Sequence, residues 1–450
     1  MLRDAFDLDV TTSSPDTIDA INVFTTDWIG YGTRLKTIMA AADADPKSAL
    51  ANAHAAALHM ALEAASGYAP ARQCIKRART AARDANEREK LVVAAVAAWW
   101  RGDTPTTLAT LREVTRKFPA DIAAAKWGQY HAFNLGRPED VLAFAEDIAP
   151  AHPRSAQAWG MRAFGLEQCS RLSEAEEAGR RALSLRRAEP WAQHAIAHVM
   201  DAQGRLDEGI EFLNDYAHTW DDRSIFIREH NYWHLALMHL DRDEPDAALR
   251  IFDRRLWGEW PEFAQEQIGA ISALWRLELR GVDVGDRWEP IVDKVLARWH
   301  EHILPFHDMH FIYAIARGGR IPEARAFITS LARHGDRDAT GIWESVALPL
   351  AQSLVAYAQG KFEQTANVIA PLLPRLHVIG GSHVQRDVFV QTWIDAALKA
   401  GQHSAAAEVL AQRHSDRPVV GATRRLLDQA RRGKARASLR SNDEGLSVSA

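Results

Sequence analysis

Two histidines stand four residues apart in Trp191-Ala192-Gln193-His194-Ala195-Ile196-Ala197-His198. Thirty-six residues later His230-Asn231-Tyr232-Trp233-His234 repeats the spacing. Residues four apart share one helix face, so each pair presents two imidazoles on one side. Such a pair can offer two nitrogens to one metal ion. Two pairs and a carboxylate could hold one or two borderline divalent ions: zinc, iron or manganese. The zinc-peptidase pattern needs Glu after the first histidine, and Ala195 stands there, which disfavours that chemistry. Without metal, neutral histidines beside a carboxylate suit general acid–base work, with Glu167 of the preceding repeat orienting one ring. The competing reading is packing, since a lone helical histidine is usually a hydrogen-bonded structural residue. The duplicated spacing sets these four apart, because packing alone would favour Ala or Leu.

Two later segments carry weaker signals. Phe306-His307-Asp308-Met309-His310 opens a helix, and a one-residue register slip would turn Asp308 or His310 toward the same groove. Gly380-Gly381-Ser382-His383-Val384-Gln385-Arg386-Asp387 reads as a glycine turn with a Ser382 N-cap. His383 and Arg386 beside that helix start could grip a carboxylate or phosphate; the alternative is a capped inter-repeat loop. Trp191 and Trp233 could wall a pocket. There is no glycine-rich phosphate loop, nucleophile elbow or Cys-x-x-Cys metal pattern.

The elements that must position these residues are helical repeats. Gly102-Asp103, Gly136-Arg137, Ser170-Arg171 and Gly204-Arg205 recur every 34 residues, and Pro119 and Pro153 share that period. A 34-residue period belongs to the tetratricopeptide helix–turn–helix unit. Each glycine can adopt the left-handed backbone that ends a first helix, and each proline suits the start of the next. Beyond Asp243 the spacing loosens, and the register of the Trp-rich stretch 252–304 stays open. The fold expected is all-α, a tetratricopeptide-type solenoid forming one continuous domain over 1–430, with a disordered basic and polar tail over 431–450. In this repeat the fifth and ninth residues of each first helix face a concave groove, which is where His194 and His198 fall. Neighbouring first helices pack about 8–10 Å apart, so the four histidines and Glu167 converge on one patch.

Composition agrees, with 47% hydrophobic and 25% charged residues. A net charge of −5 offers no basic field for nucleic acid. Two cysteines, Cys74 and Cys169, cannot build a disulfide framework. Neither a secretory leader nor an apolar run of membrane-spanning length is present, so a cytoplasmic location and no membrane partner are expected.

On Ala163-Phe164-Gly165-Leu166-Glu167, the two histidine segments, His307-Asp308-Met309-His310 and Gly381-Ser382-His383-Val384-Gln385-Arg386-Asp387, the chain resembles the tetratricopeptide repeat protein 38 family, also called StaR-like, over about residues 10–430. The resemblance implies a helical-repeat fold and, for one branch, a suggested oxygenase or hydroxylase role. Asp201 stands where relatives are expected to carry Glu. The reading that follows is an enzyme of small-molecule metabolism, with Glu167, His194, His198, His234 and His310 as catalytic candidates. His230, Trp191, Trp233, Asp308, His383 and Arg386 are candidate substrate contacts, and His194, His198, His230 and His234 candidate metal ligands. The alternative is an adaptor binding a peptide segment in the groove; a structural or pH-sensitive histidine staple is a third.

Overall fold

The computed structural model describes residues 1–336, 338, 340–416 and 421–447, with side chains described to 413 and over 421–435. Apart from a two-strand ribbon, Leu2–Arg3 against Asp9–Val10, the described chain is helical. From Ala49 onward the helices form antiparallel pairs, each packed on the next, as the tetratricopeptide pattern requires. The site uses the first helices Ala156–Gln168, Pro190–Ala202 and Ile225–Asp241, followed by Ala264–Leu279, Pro305–Arg317 and His383–Lys399.

The hairpin turns explain the period. Gly102, Gly136, Ser170 and Gly204 all have φ between 59° and 75°, the left-handed conformation that reverses the chain after a first helix. The same turn continues at Asp243, Gly281, Gly319, Gly360 and Gly401, at spacings of 38 to 41 residues. Gly281 resolves the register left open between 252 and 304: Ala264–Leu279 is a first helix and Trp288–Leu296 its partner. Longer first helices, such as the 17-residue Ile225–Asp241, account for the wider spacing. Of the tail expected over 431–450, residues 431–447 belong to the last helix, Gly421–Ser447, and 448–450 lie outside the described residues. Among the described residues no helix is long and apolar enough to cross a membrane, and both cysteines are free.

First and second helices differ in burial. Every residue of Pro190–Ala202 is buried, whereas Leu172–Leu185 buries only Ala175, Ala178, Gly179 and Ala182. An open solenoid would leave the groove face of its first helices wet, so complete burial means that the groove is covered. Contacts far apart in sequence do the covering. His383 reaches Glu167, the Gly380 backbone lies against the Asn134 carbonyl, and Arg276 donates to the Val384 carbonyl at 2.8 Å. At the other rim the Glu63 carboxylate accepts from Tyr130 at 2.8 Å and Gln265 at 2.5 Å, while Arg298 donates to the Glu63 carbonyl. The superhelix thus closes on itself. Its two largest apolar clusters, one ending at Ile227 and the other starting at Trp233, meet at the histidine-bearing helices.

This closure gives two turn glycines different sensitivities. A methyl group added at Gly319 would meet open space, so Gly319→Ala is expected to cost only left-handed strain, about 1 kcal/mol. At Gly136 the same methyl would collide with the His377 carbonyl. Gly136→Ala is therefore expected to cost about 3 kcal/mol, overpacking added to strain. Paired thermal melts check this, with Gly136→Ala giving the clearly larger drop.

Candidate functional site

His194 and His198 come from Pro190–Ala202, and His230 and His234 from the next first helix. Their register is the one expected: both pairs face the groove and interleave. Ring centroids lie 4.4 Å apart for His194–His198 and His198–His234, and 4.9 Å apart for His194–His230, His194–His234 and His230–His234. One nitrogen from each of the four lies within 4.8 Å of the others. The His194 and His230 Nε2 atoms are 3.1 Å apart. His194 Nδ1, His198 Nε2 and His234 Nε2 are buried without a hydrogen-bond partner. Unsatisfied buried polar atoms are rare and call for a ligand or a functional reason.

Glu167 anchors the arrangement from Ala156–Gln168. It is fully buried, and its Oε1 meets His198 Nδ1 at 3.1 Å and His383 Nε2 at 2.7 Å, while Oε2 accepts from Gln168 at 2.6 Å. Burial alone would raise this carboxyl, but the His198 and His383 charges and their hydrogen bonds outweigh it and hold it well below the usual range. With Nδ1 of His198 committed to Glu167, Nε2 is the corner that faces the other rings. A carboxylate fixing one ring nitrogen so that the other is presented is the common support of a metal-binding histidine. Burial, followed by the charge on His198, pushes His230 down to about 3; burial and the neighbouring rings hold His194 and His234 well below their ordinary value. These shifts favour the neutral imidazole in all three, the form that binds metal.

His194, His198 and His230 line one end of a cavity of about 490 Å³. Its walls include the aromatic rings of Trp28, Tyr31, Tyr130, Phe133, Phe164 and Trp191 among others. Trp191 stacks on His194, with centroids 4.4 Å apart and planes 18° apart. Trp233 stacks on His230 at 5.5 Å and backs the cluster from outside the cavity lining.

The other expected residues lie elsewhere or are engaged. His310 is buried against Trp275, Phe306 and Phe389, with Nδ1 on the Phe306 carbonyl at 2.9 Å, and does not join the cluster. Asp308 meets His302 at 2.5 Å. At the start of His383–Lys399, Ser382 and Gln385 form a reciprocal capping box, and Arg386 donates to the Gly381 carbonyl. The anion grip expected there is taken up from within the chain, and His383 serves Glu167 instead. Lys126, Tyr31 and Glu63 on the cavity wall do not stand out in the sequence. A signal exists for one of them: counted back from Gly136, Lys126 is the fifth residue of its repeat, the place His194 holds two repeats on.

No family model matches the chain. Similar solved structures include human IFIT1 as a dimer with m7Gppp-AAAA, at 13% identity, 98% coverage of both chains and a TM-score of 0.42. Another is the TPR domain of P58(IPK), at 12% identity over 78% of this chain and 99% of that one, with a TM-score of 0.23. Neither superposition is close enough to transfer a ligand or partner. The chain is a tetratricopeptide-type solenoid on its own geometry, with a histidine cluster in its closed groove.

If the cluster is kept for chemistry and not for packing, removing a ring should relieve the fold. His234→Leu, similar in volume and free of polar atoms, is expected to leave the metal-free protein as stable or more stable, by about 1 kcal/mol. A thermal melt in chelator checks this; a loss of several degrees would assign His234 to packing.

Proposed function

We propose that the protein is an enzyme acting on a small, largely apolar molecule held in the closed groove, with a divalent metal ion bound by His194, His198, His230 and His234. The observation that carries this reading is the four-imidazole donor set, within 4.8 Å and with unengaged ring nitrogens, at the end of an aromatic cavity of about 490 Å³. Pockets of this size and lining suit small-molecule ligands. Among zinc, iron and manganese, an all-imidazole set favours zinc or iron, since manganese prefers oxygen ligands. Held there by His194, His198, His230 and His234, such an ion would supply Lewis-acid chemistry, and iron would add redox chemistry with oxygen.

The chain's own residues have distinct tasks. Glu167 holds the His198 ring in place, and His383 keeps Glu167 ionised. Trp191 and Phe164 bind the apolar body of the substrate. The closing contacts at Glu63 and His383 limit the access of water to the histidine end, which strengthens the polar interactions there. A second reading uses the Glu167–His198–His383 chain alone: a buried carboxylate between two imidazoles can move a proton without metal. The peptide adaptor has less support, because an extended peptide needs an open groove and this one is covered. The StaR-like affiliation and its oxygenase suggestion belong to this proposal and point the assay toward oxygen chemistry as well as hydrolysis.

Elemental analysis of untagged protein, followed by zinc and ferrous ion titration of the stripped form, tests the metal. About one ion per chain is expected, and its loss in a His194→Leu/His234→Leu variant that still melts cooperatively. Absence of metal and of binding in the wild type would leave the proton-transfer reading.

A further inference from the structure

Lys126 comes from the Ile122–Asn134 helix and stands on the wall of the same cavity, only 6% exposed. Its ammonium donates to the Tyr31 hydroxyl at 2.6 Å and lies 4.1 Å from the Trp191 ring centre and 4.7 Å from that of Tyr31. Among the described residues it forms no salt bridge. A buried ammonium is costly unless paired, and two aromatic faces and a phenol offset only part of that cost.

The acids on the cavity wall are already engaged. Asp27 pairs with Arg34 at 2.8 Å, and Glu63 takes Tyr130 and Gln265. Glu189 lies behind the wall, not on it; both its carboxylate oxygens are buried without a hydrogen-bond partner, and burial pushes it up to about 7 against the pull of Arg186 and Lys126. Burial likewise brings Lys126 down to about 7, with Glu189 opposing, and an anion arriving beside it would restore the full charge. The second lysine of the lining, Lys36, is exposed and sits over Trp260, 5.9 Å from the ring centre. The two acids that line the cavity, Asp27 and Glu63, are thus both engaged, and the lining presents the positive charge of Lys126 and Lys36. Trp191 links the two polar places of the cavity, since it lies under Lys126 and stacks on His194.

We propose that Lys126, with Tyr31, anchors an anionic group of the substrate, and that the substrate is an aromatic or polycyclic carboxylate whose ring body lies along Trp191 with its far part at the histidine cluster. This rests on the reading of the cavity as the small-molecule site. It adds a fixed orientation, with the acid at Lys126 and the reacting carbon at the histidines. A carboxylate paired with a buried ammonium is a charge-assisted contact, stronger than one between neutral groups.

Two fluorescent probes that differ by one anionic group test the anchor on the full chain: 1-anilinonaphthalene-8-sulfonate and its uncharged counterpart N-phenyl-1-naphthylamine. Wild type is expected to bind the anionic probe at least tenfold tighter. Lys126→Met should abolish that preference while leaving the neutral probe within about twofold, and Lys126→Gln is the second variant if Met disturbs folding. Ala61→Trp, which fills the cavity, should remove binding of both. Equal affinity in the wild type, or a preference that survives both Lys126 variants, overturns the anchor and leaves the cavity reading standing. Failure of both probes to bind, or binding that Ala61→Trp does not touch, overturns the anchor and the cavity reading together.

Discussion

The structure turns on one buried carboxylate. Glu167 is fully buried, which would be prohibitive for an isolated charge, yet two imidazoles and an amide hold it ionised. His198 comes from the adjacent repeat and His383 from a helix 216 residues along the chain, so a single oxygen both sets a ring of the cluster and pins the end of the solenoid over the groove. Without it, the Nε2 corner of His198 would lose its fixed direction, and the C-terminal repeats would lose a charged tie to the middle of the superhelix.

Closure follows from the same logic. A tetratricopeptide array buries one face of each helix on its neighbours and normally leaves the concave face to solvent or a partner. Here the concave faces of the first helices carry Trp, Phe, Tyr, Ala and neutral His, a lining that gains more from enclosure than from water. Glu63 seals one rim and His383 with Gly380 the other. A general binding groove becomes a cavity of defined size, with its polar groups gathered at two places, the histidine cluster and Lys126.

Much of this is legible in the sequence. The 34-residue period places the turns, and the fifth and ninth positions put His194 and His198 on the groove from spacing alone. The match between the two His-x-x-x-His pairs and Glu167 across repeats follows from helix geometry. What the sequence withholds depends on the superhelix curling back: no periodicity reports that His383 meets Glu167, or that Glu63 meets Gln265. Lys126 is hidden for a different reason. It occupies the same repeat position as His194, but a lone lysine between Ala125 and Trp127 reads as an ordinary helix residue until its burial is known. His310 is the opposite case: conspicuous in the sequence, it sits in an apolar layer and bonds to its own helix through Nδ1.

The metal reading of the groove depends on the four imidazoles forming one metal-binding centre. Anomalous diffraction at the zinc and iron edges, from crystals of protein purified without chelator, tests this without an assay or a substrate. A single scatterer is expected about 2.0–2.2 Å from one nitrogen of at least three among His194, His198, His230 and His234, with Glu167 still on His198 Nδ1. Crystals saturated with either ion that hold no scatterer there, with the His194 and His230 nitrogens still paired to each other, would contradict it.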